Sequence, residues 1–230
     1  MLPTILGKIP HMFRRRNGAE WKMTLASVYF DWRFGLDTRW VVSVDELATD
    51  SELCNEYEAT DWFSLNAILE ALDIPNGSVF LDVGAGKGRA LLIASRFGFQ
   101  RIVGWEIAEP LCEIARKNIG RYAARNKISC KAFEILHCDG SASPVPDDIN
   151  FLFLSNPFAR SQLTLFLESL DRSLAARPRR VTLIYHYPSE HDLLAERSGI
   201  RELKIGSNQF RDEYKIYELG AEISGIARVQ

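Results

Sequence analysis

The chain has 230 residues, 47% of them hydrophobic, with 28 Lys and Arg against 30 Asp and Glu for a net charge of -2. That is room for one domain with an extension and a full core. It excludes a global basic field of the kind that holds nucleic acid. The four cysteines (Cys54, Cys112, Cys130 and Cys138) lack zinc or CxxC spacing, so no metal site is expected. No apolar run approaches a membrane span, and the N-terminus lacks a signal-peptide pattern, so a cytoplasmic location is expected.

In chain order, residues 1–20 form an arm whose basic cluster is Arg14, Arg15 and Arg16. Residues 21–58 are rich in aromatic and acidic side chains and read as a cap. Trp21, Tyr29, Phe30, Trp32 and Phe34 fall within one short stretch, which predicts a packed segment. The boundary between arm-plus-cap and main domain falls at 58/59. Leu65, Ile68, Leu69 and Leu72 then recur at helical spacing from Asp61, with Thr60 or Asp61 as cap and Pro75 as stop.

Residues 79–89, VFLDVGAGKGR, follow. An apolar strand ends near Asp82 and feeds a helix, predicted over 88–97, through Gly84, Gly86 and Gly88. Such a turn seats a nucleotide-like ligand, because the backbone turns sharply and the helix start offers free N–H groups. A P-loop requires Ser or Thr after Lys87, where Gly88 stands. A dinucleotide turn requires a third glycine where Arg89 stands. Lys87 and Arg89 either meet an acidic ligand group or point to solvent.

The next strand, 101–106, ends in Glu106, an acid placed 20 residues beyond Gly86 to accept ribose hydroxyls. Pro110 opens a helix carrying Leu111, Ile114, Ala115, Ile119 and Tyr122 on one face. Strands follow near 131–136 and 150–155, with Asp139-Gly140 as a turn pair between them. A helix buries Leu163, Phe166, Leu167, Leu170 and Leu174 before Pro178 and a strand over 180–187. A short helix near 190–197 leads to RELKI and DEYKIYEL, an antiparallel hairpin around GSNQFR. The alternation of strand and helix makes the fold α/β and doubly wound.

The spacing of the three glycines behind Asp82 resembles motif I of the class I S-adenosylmethionine (SAM) methyltransferases. The resemblance implies a Rossmann-like, seven-stranded, mostly parallel sheet with SAM as cofactor. It places Asp82 at the methionine end and Asp139 at the adenine amino group. NEYEATDWFSL resembles a segment of an uncharacterised bacterial branch, in which the positions of Tyr57 and Thr60 line the pocket. Asn156, Pro157 and Phe158 resemble motif IV of amino-group methyltransferases with its second proline missing. There the amide and a carbonyl orient the target nitrogen, and the ring stacks on the target or packs its site. The function implied is methyl transfer to a nitrogen acceptor, a small molecule or protein amine ahead of RNA. GKGR at 86–89 is also similar to a loop of protein lysine methyltransferases. A non-catalytic SAM-binding scaffold is the alternative, and an NAD-dependent oxidoreductase stands third. Tyr185 and His186 end the fifth strand on the ligand side.

Overall fold

A computed structural model of the chain describes residues 18–39, 59–126, 128–130, 132–203 and 214–220. Its strands are β1 (Val79–Val83), β2 (Arg101–Glu106), β3 (Ala132–His137), β4 (Phe151–Ser155), β5 (Val181–His186), β6 (Ile200–Glu202) and β7 (Tyr214–Leu219). Its helices are α1 (Gly18–Phe34), α2 (Trp62–Ala71), α3 (Arg89–Ala94), α4 (Glu109–Ala123), α5 (Arg160–Ala176) and α6 (His191–Ala195).

The strands form one seven-stranded sheet in the order β3-β2-β1-β4-β5-β7-β6. The first five are parallel, and β7 runs antiparallel to both β5 and β6. This is the expected doubly wound sheet with its antiparallel end. It differs from the dinucleotide order, in which β6 follows β5. The order reverses between β1 and β4, so the carboxyl ends of those strands border the ligand crevice.

Alternating residues feed two cores, as the period of a strand requires. Phe80, Ile102, Phe151, Phe153 and Ile184 face Leu65, Ile68 and Leu69 of α2 and the apolar side of α3. Leu81, Val83, Val103, Leu152, Leu154 and Leu183 face Leu163, Phe166, Leu167 and Leu170 of α5, and Leu194 of α6. Burial on both faces explains why β1, β4 and β5 read as continuous apolar runs.

The edges are unlike the centre. β6 is three residues long, with Arg201 paired to Glu218 and Glu202 to Lys215. On β3, Glu134 pairs with Arg101 of β2.

Three details differ from the sequence reading. α3 stops at Ala94 rather than 97, because Arg96 and Phe97 turn to carbonyls three residues back and tighten the chain. β6 starts at Ile200, its pairing continues through Leu203 N–H to Ile216 O, and the GSNQFR loop lies outside the described residues. In the N-terminal segment, Phe30 stacks on Trp62 at 4.8 Å and Phe34 meets Tyr122 at 5.0 Å. Tyr29 and Trp32, expected to pack with them, are exposed, Trp32 by 78%. Helical periodicity puts Leu25, Tyr29 and Trp32 on the face away from Phe30 and Phe34. The side chain of Trp21 lies outside the described residues.

Gly104 of β2 sets how closely the ligand turn and α3 pack on the sheet. A methyl there would lie 2.8 Å from Leu91 Cδ1 and 2.9 Å from Ala85 Cβ. Gly104→Ala is expected to cost about 1–3 kcal/mol of overpacking strain, measured by urea unfolding.

Candidate active site at the carboxyl ends of the strands

The turn after β1 is built by glycines at positive φ: 82° at Gly84, 54° at Gly86 and 84° at Gly88. Gly84 and Ala85 both donate their N–H to Trp105 O, at 2.9 and 2.8 Å. Gly86 N–H donates to Glu106 Oε2 at 2.7 Å, and Ala108 N–H donates to Glu106 Oε1 at 2.9 Å. Glu106 therefore stitches the turn, the end of β2 and the start of α4 together. Both its oxygens keep lone pairs for a further donor such as a ribose hydroxyl.

Asp82 sits opposite Gly104 and Phe153 in the sheet and is 2% exposed. No donor or cation reaches its carboxylate among the described residues. Burial first, and Glu106 second, hold its pKa well above the ordinary 3.8. Burial also raises Glu106, against the lowering pull of the Ala108, Gly86 and Ile107 N–H groups. Two buried carboxylates lacking a cation beside a turn of glycines fit a cationic, nucleoside-bearing ligand. SAM has both parts. In that fit Asp82 would hold its ammonium and Glu106 its ribose.

Asp139 lies just past Cys138, whose N–H donates to Glu106 O at 2.9 Å. Its Oδ1 accepts Ser141 N–H at 2.8 Å and Ser141 Oγ–H at 2.7 Å. It builds the turn after β3 at the same end of the sheet as Glu106. Thr60 is buried, and its carbonyl accepts from Arg89 at 3.1 Å. The cap of α2 is Asp61, which accepts from Phe63 N and Ser64 N. Tyr57 lies outside the described residues.

Lys87 and Arg89 neither face solvent nor meet a ligand group: both are buried against the N-terminal segment. Arg89 donates to Thr38 Oγ1 at 2.9 Å, Thr38 O at 2.9 Å, Ser27 Oγ at 3.1 Å and Thr60 O at 3.1 Å. Lys87 Nζ pairs with Asp37 Oδ1 at 3.1 Å. Asn118 of α4 completes the seam, donating to both Asp37 O and Lys87 O and accepting from Asp37 N. The ligand turn thus holds the segment over residues 35–39 in place.

The end of β4 abuts this turn. A Cβ on Gly84 would lie 3.1 Å from Pro157 Cβ, so the Asn156-Pro157 corner is seated against the first glycine. Asn156 has φ 46°, and its Oδ1 accepts Ser189 Oγ–H at 2.7 Å. Phe158 turns inward: it is 7% exposed and lies 5.6 Å from the Phe166 ring. Ser155 pairs in register with His186, and Ser155 Oγ lies 2.9 Å from His186 Nδ1. Burial lowers the His186 pKa to about 4, so the ring is neutral above that.

Tyr187, which the sequence reading passed over, follows His186 with φ 48° and an exposed ring. Asn156 and Tyr187 are the non-glycine positive-φ residues among those described, and each precedes a proline. Strain paired at the ends of neighbouring strands is of the kind that clusters at functional sites. The only signal in the sequence was the matching Asn-Pro and Tyr-Pro pairs.

Residues 44–142 match the family model described as histone methylation protein DOT1, a SAM-dependent methyltransferase family. No curated protein matches in sequence. Among solved structures, PH1948 of Pyrococcus horikoshii is similar at TM-score 0.52 and 16% identity, covering 92% of this chain and 100% of that one. A SAM-dependent methyltransferase from Aquifex aeolicus gives 0.50 and 21%, covering 70% and 91%. The magnesium protoporphyrin IX methyltransferase of Synechocystis, solved with bound SAM, gives 0.50 and 14%, covering 69% and 77%. The sheet is that of these methyltransferases. Residues 44–142 are thus similar to that family, and the fold is shared with these structures. No helix among the described residues is long and apolar enough to cross a membrane.

Two outcomes follow from this geometry. Arg89→Met strands the Thr38 and Thr60 carbonyls and is expected to cost about 3 kcal/mol; hydrogen exchange then shows residues 18–39 losing protection before the sheet does. For Asp82, both folded and unfolded chains hold the proton below about pH 4. As pH rises the unfolded chain releases it first, so the ligand-free fold loses stability until Asp82 itself ionises. Asp82→Asn removes that loss, giving a more stable ligand-free chain in urea at pH 7. The same variant is expected to bind S-adenosylhomocysteine at least about tenfold more weakly by calorimetry, because the ammonium loses its carboxylate.

Proposed function

We infer that the protein is a SAM-dependent methyltransferase that transfers the methyl group to a nitrogen acceptor held at Asn156 and Pro157. The supporting observation is the seating of that corner against Gly84, which puts the acceptor-type motif beside the donor turn. Bound SAM supplies an electrophilic methyl on a sulfonium. The residues of this chain position the two partners in line, which is the larger part of what such a displacement needs.

Asn156 Oδ1 accepts from Ser189 Oγ–H, and its amide is the group this reading assigns to an acceptor N–H. The Pro157 carbonyl is the second acceptor in this reading. With both hydrogens of the target nitrogen engaged, its lone pair faces the donor. Phe158 anchors the corner to the core rather than touching the acceptor. His186, neutral and buried beside Ser155, adds no positive charge that would repel a sulfonium. At the donor side, Asp82 takes the ammonium, Glu106 the ribose hydroxyls and Asp139 the adenine amino group, around the turn of Gly84, Gly86 and Gly88. The Thr60 carbonyl accepts from Arg89, and the sequence resemblance implies a pocket-lining role for Tyr57 and Thr60. Acceptors in this reading are small molecules or protein amines, with RNA third, in the cytoplasm.

The test uses labelled SAM incubated with a host lysate. Asn156→Ala is expected to reduce label transfer at least about a hundredfold while leaving S-adenosylhomocysteine affinity within about twofold. Asn156→Gly, which tolerates the positive φ, separates the amide from the backbone. Full transfer by both variants would exclude Asn156 from the acceptor site. Tight S-adenosylhomocysteine binding with no transfer even by the unaltered chain supports the scaffold reading.

A further inference from the structure

We propose that Ser155 and His186 carry the acceptor's proton away: the Ser155 hydroxyl takes it, and His186, acting through that hydroxyl, receives it. The proposal rests on the methyl-transfer reading above and adds the proton's route, which the Asn156-Pro157 corner does not supply.

The sheet register brings the pair to the donor side. Asp82 lies opposite Phe153, so the two share a face. Ser155 is two residues past Phe153 and returns to that face. His186 lies opposite Ser155. Leu154 lies opposite Val83, which sets Ser155 level with Gly84, the first glycine of the turn. Ser155 is also the one residue of β4 that is not fully buried, whereas His186 beside it is 4% exposed.

The pair is a base behind a hydroxyl. Ser155 Oγ lies 2.9 Å from His186 Nδ1, its one side-chain hydrogen bond among the described residues. With the ring proton on Nε2, the hydroxyl donates to Nδ1 and Oγ keeps lone pairs for an acceptor N–H. Rings hold the imidazole in place: Tyr214 stacks on it at 4.3 Å, Phe153 stacks at 6.4 Å, and Tyr187 lies 3.9 Å away. Burial alone lowers its pKa to about 4, so at neutral pH the ring is uncharged and has a nitrogen lone pair to offer.

The order of charges suits such a relay. Before transfer a neutral ring faces the sulfonium side. In the transfer, the acceptor nitrogen bonds to the methyl carbon, and the carbon–sulfur bond breaks with its electrons going to sulfur. The positive charge is then on nitrogen, and sulfur is a neutral thioether. The nitrogen's proton moves to Ser155 Oγ as the hydroxyl proton moves to His186 Nδ1. The face of Tyr214 attracts the imidazolium so formed. The imidazolium passes a proton to water, which its low pKa favours.

The test reads label transfer from labelled SAM into a host lysate. S-adenosylhomocysteine affinity by calorimetry checks that the donor site is intact. His186→Asn keeps a side-chain partner for the Ser155 hydroxyl but takes no proton. This variant and Ser155→Ala are each expected to lower transfer about a hundredfold, with cofactor affinity within about twofold. Full transfer by either variant overturns the proposal, since a mere tie between strand ends survives His186→Asn. His186→Gly leaves a ring-sized gap. Added imidazole is expected to restore its transfer, and pyrrole, a ring of the same size without a basic nitrogen, is not. Restoration by both or by neither overturns the proton role. Loss of transfer in Asn156→Ala alone overturns the relay and keeps the acceptor reading; loss in Ser155→Ala and His186→Asn alone does the reverse. No transfer by the unaltered chain overturns both.

Discussion

The ligand end of the sheet depends on one carboxylate. Glu106 closes β2, and its two oxygens take N–H groups from Gly86 and Ala108 while its carbonyl takes Cys138 N–H. Four pieces of chain meet there: the glycine turn, β2, the start of α4 and the end of β3. Burying a carboxylate is costly, and the N–H groups offset part of that cost. The remainder appears as a raised pKa at both Glu106 and Asp82. The ligand-free chain thus holds two buried carboxylates whose charge is unfavourable, which a cationic nucleoside would relieve. Ligand affinity and ligand-free stability are opposed at this point, which is common where a site is built for charge.

A second constraint runs in the other direction along the turn. Lys87 stands between Gly86 and Gly88 and Arg89 follows them, yet their side chains reach backward into the N-terminal segment. One short loop thereby serves two clients. Its backbone shapes the ligand seat, and its cations hold residues 27–38 and the start of α2.

The parts legible in the sequence were those with a local cause. Five apolar runs bounded by turn residues became the parallel strands, and the spacing of Asp82, Glu106 and the glycines placed them together at one end of the sheet. The parts not legible depended on distant partners. Arg89 finds Ser27, Thr38 and Thr60 at separations of 62, 51 and 29 residues, and nothing local distinguishes such an arginine from a solvated one. Phe158 has the residue type of a stacking ring, but only the position of α5 decides that it turns inward. Tyr187 went unread because its exposure and backbone come from the corner after β5, not from its neighbours' chemistry. The aromatic cluster of α1 misled for a related reason: composition counts rings, while helix geometry decides which side they take.

The two edge strands carry a consequence of their own. A sheet edge is a row of unused donors and acceptors that invites another strand, whether from a second molecule or from an aggregate. Here one edge is cut to three residues and flanked by Arg201 and Glu202, and the other carries Glu134 tied to Arg101. Short length blunts the β6 margin as a template, and charge blunts the β3 margin. Extension of the sheet by another strand is disfavoured at these margins, and the positive-φ residues lie at the strand ends instead.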